Sequence, residues 1–84
     1  MDTPESAGLS FELDGEPWVA RAAGAGVAGW GSRGVAPIEA VHFFRADEPR
    51  PRFEALIGRG RLPWLHPAEL QALLRTAVPI PPAG

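Results

Sequence analysis

The 84-residue sequence contains no cysteine, no lysine, no asparagine and no tyrosine. Without cysteine there can be neither a disulfide framework nor a zinc site built on thiolates. Long apolar runs are missing as well. Nothing approaches the roughly 18 apolar residues of a membrane-spanning helix, and the longest uncharged stretch, residues 22–32, is broken by glycines. The first ten residues are acidic and lack the apolar centre of a secretory signal. A cytoplasmic protein with no membrane partner is the expectation. Lysine, asparagine and tyrosine share A/T-rich codons, so their joint absence reads as the coding bias of a GC-rich bacterial genome. All 8 cations are therefore arginine for a reason that need not involve bidentate recognition. The length also excludes a complete dinucleotide-binding fold or an α/β barrel, and a single small domain over 1–84 is expected.

What the chain does hold is a thin apolar complement. Hydrophobic residues make up 45% of it, but 14 of them are alanine. The large anchors are 8 Leu, 5 Val, 3 Ile, 4 Phe and 3 Trp. A core this small is marginal alone, which favours a protein partner or a second copy of the chain. The net charge is −2 and is unevenly spread. Residues 1–16 carry five carboxylates and no cation, whereas Arg45, Arg50, Arg52, Arg59 and Arg61 are set against Asp47, Glu48 and Glu54.

Residues 1–8 read as a polar arm. Asp14-Gly15 is flanked by alternating apolar residues, the sequence signal of a two-residue hairpin with a type I′ turn. That register sets Leu13 opposite Glu16 and Phe11 opposite Trp18, with Leu9, Phe11, Trp18 and Ala20 on one face. Pro17, lacking an N–H, must sit where its strand needs no donor. Five glycines between residues 24 and 34 predict a loop over 24–37, or a strand bent by glycine. Two further strands are expected over 38–45 and 52–57, joined by a proline-rich turn. The faces of the 38–45 strand are both apolar enough to suggest cover on each side.

His66-Pro67-Ala68-Glu69 predicts a helix start, with Pro67 in the first turn and Glu69 closing a capping box on His66. Leu70, Leu73, Leu74 and Ala77 continue an amphipathic stripe, for a helix over 66–78. Residues 79–84 read as a proline-rich tail in an extended, polyproline-like form. The expected fold is thus α+β, a three- or four-stranded antiparallel β-sheet over 9–58 with one C-terminal amphipathic α-helix packed on it.

No motif carries chemistry convincingly. Gly24-Ala25-Gly26-Val27-Ala28-Gly29 fits the glycine pattern of dinucleotide sites, but no helix can follow at Trp30-Gly31-Ser32-Arg33-Gly34. Ser32 lacks the preceding glycine of a nucleophile elbow. His66 and Glu69 are explained by the helix start, and His42 by packing between strands, so no metal is expected. The reading is a non-enzymatic module, without cofactor or catalytic residues, that works through protein–protein contacts and can self-associate. Its candidate contact residues are Trp30, Arg33, Arg45, Arg50 and Arg52. A lone Trp among glycines is a common interface anchor. The alternative is nucleic-acid or phospholigand binding through Arg45–Arg61, which the acidic overall charge disfavours. Trp18 is assigned to the core and Trp64 is placed beneath the helix.

Overall fold

The computed structural model describes residues 8–29 and 35–81. Five strands form one antiparallel sheet in the order β1-β2-β3-β4-β5. They are β1 (Leu9–Leu13), β2 (Glu16–Gly29), β3 (Val35–Arg45), β4 (Pro51–Gly58) and β5 (Val78–Pro79). A 3₁₀ turn (Leu62–Trp64) and the helix α1 (Pro67–Thr76) lie between β4 and β5. The class is α+β. The strand count is five, not three or four, and the helix is followed by a strand.

The first hairpin follows directly from Asp14-Gly15. Both residues have positive φ, 55° and 81°, as a type I′ turn requires. Leu13 pairs with Glu16 and Phe11 with Trp18. The Pro17 carbonyl accepts the Ala46 N–H (3.1 Å) just past the end of β3. The missing proline N–H therefore falls where the ladder stops.

The glycine segment takes the strand alternative. Residues 24–29 continue β2 and pair with β3 out to Gly29–Val35, so 24–29 and 35–37 of the expected loop are strand. A register shift between Ala22 and Gly24 marks a bulge, which turns the alternation of β2 by one residue. Glycine gives no pleated pattern to read, and the β3 ladder supplies the order that the side chains do not. Trp30 and Arg33 lie outside the described residues.

One face of the sheet carries the core. Phe11, Trp18, Ala20, Val41, Phe43 and Ala55 are buried there, closed by Leu62, Leu70 and Leu74. Phe11 and Phe43 meet edge to face, with ring centroids 5.9 Å apart at 79°. The helix stripe is as the spacing predicts, with Leu70 and Leu74 buried and Leu73 and Ala77 packed beside them. Half of the expected capping box forms. Glu69 Oε1 accepts the His66 N–H at 2.8 Å, while the His66 side chain makes no cap hydrogen bond. At the far side, the Gln71 amide donates to the Glu12 carbonyl (2.6 Å), fixing α1 to the edge strand β1.

The helix ends at Thr76, two residues short of 78. Val78 and Pro79 then pair with Glu54 and Phe53, and the Ile80 N–H donates to the Arg52 carbonyl (2.9 Å). The start of the tail is thus a sheet edge and not a free polyproline segment. A two-residue strand ending in proline has no periodicity, so nothing in the sequence announces it. Proline suits this edge, where one side needs no donor.

Candidate interaction surface

Strand geometry puts alternate residues on opposite faces, and the helix occupies only the Phe43 face. The other, outer face follows from the register. Across β2, β3 and β4 its rows are Val19–Phe44–Pro51, Arg21–His42–Glu54, Gly24–Ala40–Leu56 and Gly26–Ile38–Gly58. Val78 extends the second row on β5. Among the described residues no helix or strand covers this face. Val19, Ile38, Ala40 and Phe44 are half-buried by their neighbours, whereas Leu56 is 60% and Val78 65% exposed. Among the described residues, the expectation of cover on both faces of residues 38–45 is met on the Phe43 side.

Polar groups on this surface are arranged within the sheet. His42 Nε2 lies 3.0 Å from Glu54 Oε2 and donates to it. The Arg21 guanidinium lies over the Phe44 ring at 5.4 Å, a cation–π contact that keeps the long side chain close to the sheet.

Two of the candidate arginines are already paired with carboxylates. Arg45 is on the opposite, core-side face, ion-paired to Glu16 at 3.1 Å and over the Trp18 ring at 5.8 Å. Arg52 donates twice to Glu48, from Nε to Oε1 (2.7 Å) and from a terminal nitrogen to Oε2 (3.1 Å). The Arg52 hydrogen bonds hold the Glu48 carboxyl below its usual 4.5, aided by the nearby Arg45 charge. The same pairing raises the Arg52 guanidinium. Arg50 is exposed in the turn between them.

Trp64 is a correction. It is 79% exposed instead of lying under the helix. A 3₁₀ turn has three residues per turn, so residues i and i+3 share a side. Leu62 and Leu65 take the inner side, and Trp64 is directed outward. Trp64→Ala is therefore expected to change unfolding free energy by no more than about 0.5 kcal/mol. Urea unfolding followed by far-UV circular dichroism checks this.

The outer-face residues Leu56 and Val78 were missed as contact candidates. Their signal was faint, an apolar residue on the polar side of a strand and a valine beside proline. Among the described residues no cluster of three side chains able to ligate a metal is present, and no helix is long and apolar enough to cross a membrane. Comparison with known proteins yields no match to a family model, a curated protein or a solved structure.

Proposed function

We propose that the protein is a small non-enzymatic module that acts through protein–protein contact, and that its working surface is the outer sheet face. One observation carries this reading. Among the described residues no layer covers the outer face of three long strands, which presents Val19, Ile38, Phe44 and Leu56 between polar groups, with Val78 of β5 beside them. A sheet with one apolar face normally buries that face against another layer. Here the described residues supply a layer on the Phe43 side. The backbone of β2 past Ala20 adds to the surface, since among the described residues no strand pairs it on the side away from β3. Open strand edges are ready sites for pairing with another chain.

The nucleic-acid alternative draws less support. Arg45 and Arg52, two of the five arginines in that segment, already face carboxylates at 3.1 and 2.7 Å.

Leu56→Glu tests the contact reading. The side chain is exposed, so the unfolding free energy is expected to stay within about 0.5 kcal/mol of the wild type. A charge at the centre of a contact face should weaken association at least about tenfold. Affinity capture from the native host, compared between wild type and variant, and molar mass by light scattering measure the effect. Unchanged capture and unchanged mass would exclude the outer face.

A further inference from the structure

The outer face has a direction across the sheet. In the row Arg21–His42–Glu54 the cation stands on β2 and the carboxylate on β4. In the next row, Gly24–Ala40–Leu56, β2 offers a gap and β4 an exposed leucine. A side chain at Gly24 would meet nothing within 4 Å, so the gap is open. Between them runs β3, the middle strand of the five.

A twofold axis lying along β3 in the plane of contact has a simple consequence. It exchanges β2 with β4 and leaves each row facing itself in reverse. Arg21 of each copy then stands over Glu54 of the other. Leu56 of each enters the gap above Gly24 of the other. The Val19–Phe44 row meets its own reverse, and the Arg21 guanidinium, which lies over the Phe44 ring in the single chain, swings off it to reach Glu54 of the other copy. A twofold axis running across the strands keeps each strand over itself, so it never sets Arg21 over Glu54, and placed through that row it stacks Arg21 on Arg21 and Glu54 on Glu54. Both charge and shape thus select the same one of the two in-plane arrangements. Sheets stacked face to face lie about 10 Å apart with strand directions within about 30°, and a strand-parallel twofold permits that crossing.

Resting on the reading of this face as a contact surface, we propose that its occupant is a second copy of the chain. The two copies are related by a twofold axis along β3 and joined by reciprocal Arg21–Glu54 and Leu56–Gly24 contacts. Such an interface is self-complementary, as closed dimers require. Its size is modest. Eight residues of β4 at about 3.3 Å each span about 26 Å, and the strand spacing of about 4.8 Å makes the face roughly 15–20 Å wide. The flat footprint is roughly 400–500 Å² per copy, near the lower limit of about 1,000 Å² in total for a specific interface. The dimer is therefore reversible and concentration-dependent.

Sedimentation velocity on the full chain tests this with two charge variants. Arg21→Glu alone faces Glu54 of a like copy with a second carboxylate. Glu54→Arg alone faces Arg21 with a second cation. Each variant by itself is expected to dimerise at least about tenfold more weakly than the wild type. An equimolar mixture of the two restores both pairs and should return the dimer to within about threefold of wild-type affinity. A mixture that stays monomeric, or a wild type that is monomeric at about 1 mM, overturns the proposal. If a charge variant does not fold by circular dichroism, Leu56→Ser carries the test. It should weaken the dimer about tenfold, and an unchanged constant overturns the proposal. A monomeric wild type whose Leu56→Glu variant still loses another bound protein would sink the twofold dimer and leave the contact surface standing. A monomeric wild type with no loss in that variant would remove both.

Discussion

Phe43→Ala is expected to lower the unfolding free energy by about 3–5 kcal/mol, the range for removing a buried phenylalanine. At roughly 0.05–0.15 kcal/mol per residue, a chain this size holds only about 4–13 kcal/mol in all. The variant should therefore be largely unfolded at the lower end of that range. Phe43 is fully buried at the centre of the sheet. It faces Ala20 on one side and Phe53 on the other, and its ring and that of Phe11 meet edge to face with centroids 5.9 Å apart. Ala20 and Ala55 have no bulk to move into the space, so the cavity stays open. Phe44 provides the internal comparison. It is the same residue type, one position along, and it points to the uncovered face where it is only half-buried. Phe44→Ala should cost clearly less, about 1–2 kcal/mol. Urea denaturation of both variants checks the order. A larger loss at Phe44 would mean that the two faces have been assigned the wrong way round.

That comparison also shows what the sequence can and cannot reveal. Ile38 to Arg45 alternates two apolar sets, and nothing in the strand itself says which set is covered. The helix decides, because Leu70 and Leu74 pack on the Val41–Phe43 side. The hairpin register was legible because Asp14-Gly15 fixes the turn, and the turn fixes every pair beyond it. The helix was legible through Pro67, Glu69 and its leucine stripe. The glycine-rich part of β2 was not, because its order comes from pairing with β3 and not from side chains of its own. The surface residues were the least legible. Arg45 and Arg52 stand out in a charge count, yet each is answered by a carboxylate a few ångströms away. Leu56 and Gly24 attract no notice in sequence, and only the register across three strands places them in one row.

Leu70→Ala is the second large expected effect, about 2–5 kcal/mol. Leu70 is 2% exposed and sits in the first turns of α1, one helical turn before the equally inward Leu74. A ten-residue helix is too short to persist on propensity alone, since isolated helices under about 12–15 residues are marginal in water. Its order must come from burying the leucine stripe on the sheet. The sheet depends on the helix in return. Without α1, Phe11, Val41 and Phe43 would face water, and the β1 edge would lose the Gln71 hydrogen bond to Glu12. Sheet and helix should therefore unfold together. Far-UV circular dichroism and near-UV aromatic signals are expected to give coincident urea transitions in Leu70→Ala, both shifted to lower denaturant. Gln71→Ala, which removes one exposed hydrogen bond, should shift the same transition by only about 0.5–1.5 kcal/mol. If the helical signal were lost while the aromatic signal stayed at its wild-type midpoint, α1 would be an appendage. The sheet would then be stable with both of its faces bare.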